Sequence, residues 1–268
     1  MLLTQKKTMR DIQNEIDNRK VKIDRVGVQD VRYPISISDQ EGILQSTTGL
    51  VSLYVDLPKQ FRGTHMSRFI EILNIHRDNI AILSLEGILQ DTKKALKAET
   101  SHIEIQFVFF MNKTAPVSGI KSFLSYDCTF IASKAVDFDF IMKVKVPIQL
   151  LCPCSKEISS YGAHNQRGLA SVSIRMKHGH QNIVWIEEII DICENAASSP
   201  IYSLLKRKDE KYVTEYAYDH PRFVEDVVRN IFLPLDQDPR VSWFSIDVLS
   251  NESIHSHNAY AQVEKDKR

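Results

Sequence analysis

Thr47-Thr-Gly-Leu-Val-Ser-Leu-Tyr-Val-Asp-Leu57 alternates along its length: Val51, Leu53, Val55 and Leu57 fall on one side of an extended chain, and Ser52, Tyr54 and Asp56 on the other. Period-two spacing predicts a strand in a sheet covered on one side. Ahead of it, residues 22–38 read as a companion strand. The polar, charged stretch from Gln5 to Lys22 has no sustained period and predicts an N-terminal arm over residues 1–20. Beyond the strand, Met66, Phe69, Ile70 and Leu73 fall at i, i+3, i+4 and i+7, and Ile82, Leu85, Leu89 and Leu96 continue a helical spacing after a break near Asp78-Asn79. Residues 101–112 and 120–133 return to strand composition, separated by the turn-forming Lys113-Thr-Ala-Pro-Val-Ser-Gly119.

The second half repeats that order. Residues 138–151 and 168–177 read as strands, with Val172, Ile174 and Met176 alternating against Ser171, Ser173 and Arg175. Ile186, Ile189, Ile190 and Cys193 make a helical stripe. Val224, Val227, Val228 and Ile231 make another, after an Asp219-His220-Pro221 stretch that suits a helix start. Residues 240–249 and 256–264 close the chain as strands. Strand, strand, helix, helix, strand, strand in each half predicts a duplicated α+β unit with antiparallel sheets backed by helices: a first unit over 21–136 and a second over 137–268. Cys128, on a strand, and Cys193, on an apolar stripe, are expected in the core.

Composition bounds the function classes. The chain has 268 residues, 43% hydrophobic and 25% charged, enough to bury a core in two domains of ordinary size. Lys plus Arg and Asp plus Glu both number 34, so no overall field draws in nucleic acid or an anionic membrane, and an anionic ligand needs a local cluster. No apolar run reaches the ~20 residues of a spanning helix, and Met1-Leu-Leu-Thr-Gln-Lys-Lys7 lacks the apolar core of a secretory signal. Four scattered cysteines do not make a disulfide framework in a chain of this length. A cytoplasmic location, with thiols reduced, is expected.

Reactive groups concentrate in Gln149-Leu-Leu-Cys-Pro-Cys-Ser-Lys-Glu-Ile-Ser-Ser-Tyr-Gly-Ala-His-Asn-Gln-Arg167, between two strands of the second half. Cys152 and Cys154 are soft ligands, His164 adds an imidazole, Lys156 and Arg167 are cationic, and Tyr161-Gly162 is a turn able to fold the far end over the near one. Buried cysteine and histidine are also ordinary core residues, so composition alone leaves packing and metal binding both open.

Longer motifs decide more. Gly63-Thr-His-Met-Ser-Arg-Phe69, Lys113-Thr-Ala-Pro-Val-Ser-Gly119, Cys152-Pro-Cys-Ser-Lys-Glu-Ile158, Tyr161-Gly-Ala-His-Asn-Gln-Arg167, Tyr202-Ser-Leu-Leu-Lys-Arg207, Asp209-Glu-Lys-Tyr-Val-Thr-Glu215, Pro221-Arg-Phe-Val-Glu-Asp226 and Glu252-Ser-Ile-His-Ser-His257 resemble the type B branch of GTP cyclohydrolase I, from about residue 11 to about 261. The resemblance implies two tandem tunnelling-fold units, each a four-stranded antiparallel sheet with two helices, assembled as a toroidal homotetramer with active sites at subunit contacts. The second unit would carry most of the site. It also implies conversion of GTP and water to 7,8-dihydroneopterin triphosphate and formate, the first step toward folate-type pterins.

That chemistry states what the site needs. Water must attack C8 of guanine, and a divalent metal lowers the pKa of a bound water from about 15.7 toward about 7. Three protein ligands leave a fourth position for it. The resemblance assigns Cys152, His164 and Glu210 as ligands of one ion per site, zinc, manganese or iron; without it, Glu210 beside Lys208, Asp209 and Lys211 reads as a solvated surface charge. The resemblance makes Glu225 the anchor of the guanine ring, where a carboxylate accepts from N1–H and the exocyclic amine. His255 and His257, two apart on an expected strand, are placed to share a pocket and transfer protons. Cys154 is held as an auxiliary thiol. Arg62, His65, Arg68, Lys113, Lys206 and Arg207 are the cations available to the triphosphate, some from a neighbouring subunit. Competing readings are a deazaguanine nitrile reductase of the same fold, using a cysteine nucleophile and NADPH without a catalytic metal, and a non-enzymatic assembly module.

Overall fold

The structure, a computed structural model, describes residues 12, 13, 15–77, 80, 82–177, 179 and 183–268. Residues 1–11 and 14 of the expected arm, and the expected break at Asp78-Asn79, lie outside the described residues. The described part of the arm is docked: Ile16 bridges Phe61, and Gly63 N–H donates to the Gln13 carbonyl at 3.1 Å.

The first half contributes β1 (Ile23–Ser38), β2 (Leu44–Leu57), α1 (Met66–Ile75), a 3-10 turn (Ile82–Ser84) leading into α2 (Leu85–Leu96), β3 (Ser101–Thr114) and β4 (Lys121–Lys134). The second contributes β5 (Phe138–Leu151), α3 (Pro153–Ile158), β6 (Asn165–Met176), α4 (Ile186–Ala196), β7 (Ser199–Pro200), α5 (Arg207–Asp219), α6 (Val224–Gln237), β8 (Val241–Ser250) and β9 (Ala259–Asp266). These strands form one antiparallel sheet in the order β1-β2-β3-β4-β5-β6-β8-β9, with the short β7 beside β5. Pairing continues from β4 to β5, Asp127 opposite Lys145 through Lys134 opposite Phe138, so the sheet is continuous across the midpoint of the chain.

Alternation in β2 buries Val51, Leu53, Val55 and Leu57 as expected, but its other face is not open throughout. Ser52 and Asp56 are buried there as well. Ser52 Oγ accepts from Asp30 N–H at a β1 irregularity, and Asp56 accepts from Thr100 N–H at 2.7 Å and Thr100 Oγ1 at 3.0 Å, so local donors replace solvent. α1 and α2 pack on the first four strands through Phe69, Leu73, Leu85, Ile88 and Leu89. α4 and α6 pack on β5, β8 and β9 through Ile189, Ile190, Val227 and Ile231. Cys128 and Cys193 lie in this core, where burial pushes both thiols well above the usual range.

Three local expectations need correction. α3 and α5 were not legible as helices: α3 has no buried residue and α5 buries only Asp209 and Ala217, so neither carries an apolar stripe. Asp219-His220-Pro221 does not start a helix. Asp219 ends α5, and α6 begins at Val224 after Phe223, whose N–H donates to Asp226 Oδ2 at 3.1 Å. The last strand begins at Ala259, which leaves His255 and His257 in the irregular segment 251–258. Among the described residues, no helix is long and apolar enough to cross a membrane.

Candidate active site

The last pair of the β5–β6 ladder is Leu151 opposite Asn165, and one step beyond it the backbones of Cys152 and His164 meet: Cys152 N–H donates to the His164 carbonyl at 3.1 Å. Ser155 fastens them. Its N–H donates to Cys152 Sγ at 3.4 Å, and its Oγ accepts from His164 N–H at 3.2 Å. The Cys152-Pro153 step suits this arrangement, because Cys152 stays extended as N-cap while Pro153 takes the first helical position without a lost donor. Cys154 points out of the first turn and is exposed.

Cys152 forms part of the wall of a cavity of about 410 Å³ that also takes in Gln166, Arg222, Glu225, Glu252, His255 and His257. Four separate elements supply these groups. Cys152 comes from the N-cap of α3, Gln166 from β6, Arg222 and Glu225 from the entry and first turn of α6, and Glu252 and the histidines from the segment after β8. Two positions on in β6, Gly168 lets β5 and β8 close around the site; a Cβ there would lie 2.9 Å from both the Leu249 carbonyl oxygen and Leu150 Cδ1. Arg222 N–H donates to the Leu151 carbonyl at 3.1 Å, docking α6 beside Cys152. Its Nε is buried without a hydrogen-bond partner, and the exposed Glu225 carboxylate meets none among the described residues. A donor and an acceptor thus stand ready for a ligand. The His255 and His257 rings stack, centroids 5.1 Å apart and planes 15° apart. They share the pocket as expected, although no strand places them there.

His164 stands behind this wall. Its Nδ1 is 2.9 Å from Gln166 Oε1, while Gln166 Nε2 donates to Ser250 Oγ and Glu252 Oε1, each at 3.1 Å. Ser250 Oγ donates to the same Glu252 oxygen at 2.7 Å. A thiol and an imidazole, on two residues joined through their backbones, are donor types that suit a soft or borderline divalent ion. Glu210 does not join them in the single chain. It is exposed in the first turn of α5, whereas the part of α5 beside the Tyr161–Asn165 loop begins at Thr214. Among the described residues, no three metal-binding side chains converge.

The expected phosphate cations do not line the cavity. Arg62 pairs with Glu15 at 3.1 Å, Arg68 donates to the Ala95 carbonyl, His65 takes the N-cap position of α1, and Lys206 and Arg207 sit at the exposed start of α5. Lys113 is committed inside the fold to Glu194, a carboxylate that also accepts from Tyr126 Oη at 3.0 Å. Gln166, Arg222 and Glu252 were not singled out from the sequence. All three lie inside quoted motifs, but their role depends on strands far apart in the chain.

The model of type I GTP cyclohydrolase folE2 matches residues 9–261. GTP cyclohydrolase FolE2 of Kosmotoga olearia is 52% identical over 259 residues, covering 97% of this chain and 99% of the relative. The protein of the same name from Geobacter sulfurreducens is 51% identical over 260 residues, covering 97% and 99%. Among solved structures, a highly active mutant of Bacillus sp. TB-90 urate oxidase superposes with a TM-score of 0.55 at 11% identity, covering 91% of this chain and 100% of that one. Uricase from Arthrobacter globiformis gives 0.53 at 8%, covering 90% and 92%. At these identities the urate oxidases share the tunnelling fold alone.

Proposed function

The chain belongs to the type I GTP cyclohydrolase folE2 family, and from that premise we propose how its residues carry out the reaction. It is a GTP cyclohydrolase of folate and pterin biosynthesis. The observation that carries the reading of its site is the shared cavity of Cys152, Glu225, Glu252, His255 and His257, with His164 paired to Cys152 at its edge.

Cys152 and His164 hold one divalent ion, zinc, manganese or iron, and Glu210 completes the donor set in the assembled oligomer. When bound, such an ion supplies acidified water for attack on C8. Glu225 accepts from guanine N1–H and the exocyclic amine, which orients C8 and selects guanine over adenine, since adenine does not offer both donors together. His255 and His257 take and return protons at the purine nitrogens as the imidazole ring opens. Cys154, exposed two residues past Cys152, is an auxiliary thiol. The triphosphate is held by cations drawn from Arg62, His65, Arg68, Lys206 and Arg207, with Lys113 bracing the fold behind them.

These cations lie away from the single-chain cavity, which supports a homotetramer with sites at subunit contacts and a toroidal closure of the sheets. In that assembly residues 21–136 and 137–268 act as two tandem tunnelling units, with residues 1–20 as an arm. Four unpaired cysteines support a reducing, cytoplasmic setting. Cys152→Ala and His164→Ala are expected to abolish formate release from GTP while leaving the fold intact; full activity in either variant overturns the ligand assignment. A chelator abolishes turnover as well, whereas a nitrile reductase working through a cysteine nucleophile would be indifferent to it.

A further inference from the structure

Gln166 lines the cavity and also touches His164, and its amide has only one sensible orientation. Glu252 is an acceptor when ionised, and Ser250 already gives its hydroxyl proton to it at 2.7 Å. The Gln166 amide nitrogen must therefore face Ser250 Oγ and Glu252 Oε1, each 3.1 Å away; these oxygens lie 2.7 Å from one another and share the same amide proton. Turning the amide over would set its carbonyl against the carboxylate. Gln166 Oε1 is then aimed at His164, 2.9 Å from Nδ1, and an oxygen in that position accepts a proton and has none to give.

Ser253 is the competing donor. Its Oγ lies 3.4 Å from His164 Nδ1 and 3.5 Å from Gln166 Oε1, both at the outer limit for a hydroxyl hydrogen bond, so the shorter Gln166 contact prevails. We propose that Gln166 is a positioning residue that fixes the His164 proton on Nδ1, leaving the Nε2 lone pair free, through a chain of hydrogen bonds anchored on Glu252. The inference rests on the reading of His164 as a metal donor and adds the device that makes it one before any ion arrives. The polarity is unbroken: Glu252 accepts from the Gln166 amide, and the Gln166 carbonyl accepts from the imidazole.

The test uses full-length protein stripped of metal. Nitrogen NMR of ¹⁵N-histidine-labelled protein is expected to show His164 protonated on Nδ1 in the wild type, and protonated chiefly on Nε2 in Gln166→Met. Competition for zinc against a chromophoric chelator is expected to show about 10- to 100-fold weaker binding in Gln166→Met, the usual cost of losing an outer partner of a ligand histidine. Gln166→Glu combined with Glu252→Gln reverses donor and acceptor between the two positions but keeps an oxygen on Nδ1–H. It is expected to restore both the tautomer and the affinity, which a purely structural role for Gln166 does not predict. If Gln166→Met keeps the wild-type tautomer and binds zinc within about threefold, or if the paired exchange restores neither, the inference is overturned. His164→Ala separates the two readings: undiminished zinc binding there overturns the ligand assignment itself, whereas weakened binding there with an unaffected Gln166→Met overturns only the role of Gln166.

Discussion

In the proposed role of Glu225 as the guanine anchor, a single atom type decides the substrate. Glu225→Gln would replace one acceptor oxygen with a donor toward the guanine edge proposed to bind there, while the exposed position leaves the fold unaffected. The kcat/KM for GTP is expected to fall about a hundredfold, the equivalent of one lost charge-assisted pair of ~3 kcal/mol. Lys113 shows the reverse, a charge whose work is structural. Burial raises the Glu194 carboxyl, and Lys113 and Tyr126 oppose that rise. Lys113→Met strands the carboxylate and should cost about 3–5 kcal/mol in denaturant unfolding at neutral pH. A buried acid with a raised pKa is least costly when protonated, so this deficit narrows as the pH falls toward the unfolded glutamate value of about 4.3. Cys152, His164, Glu225 and the two histidines were legible because their side chains carry chemistry of their own and stand in long motifs. Gln166 and Glu252 were not, because an amide and a carboxylate 86 positions apart announce nothing until β6 and β8 lie side by side.

Among elements, α5 depends most on one residue and was least visible beforehand. Asp209 is buried, accepting from Val117 N–H at 2.8 Å and Ser118 N–H at 2.7 Å with one oxygen and from Lys206 N–H at 2.9 Å with the other. It caps the helix and ties it to the β3–β4 turn at once. Burial pushes its pKa up, but hydrogen bonds from Ser118, Lys206 and Val117 outweigh that and hold it far below the usual carboxylate range. An acid with a depressed folded pKa adds stability that is complete above the unfolded value of about 3.9 and drains away as the pH falls below it. Asp209→Asn is therefore expected to melt lower than the wild type by a constant margin between about pH 5 and 7, with the margin shrinking below about pH 4 in calorimetry. Strands were read more accurately than helices here because alternation survives in buried strands such as β5, whereas a solvated helix such as α5 holds only an internal cap and a spread of charge.

For the whole molecule, the sheet among the described residues ends in β1 and β9, and a single chain leaves the proposed metal donors and the cations proposed for the triphosphate in different places. Native mass spectrometry is expected to find a homotetramer, and dilution that dissociates it should extinguish GTP turnover in step with loss of the tetramer; active monomers would contradict a shared site. The order strand, strand, helix, helix, strand, strand expected from periodicity describes the first half, while the second also carries α3, β7 and α5, and pairing of β4 with β5 merges both halves into one sheet. The backbone contact that joins Cys152 to His164 also has a bearing on timing. Only twelve positions separate the two, so during synthesis they find each other as soon as that short turn closes, at small entropic expense. Glu252 emerges from the ribosome much later, so a nascent chain can join the two proposed ligands before it contains the carboxylate on which the proposed relay is anchored.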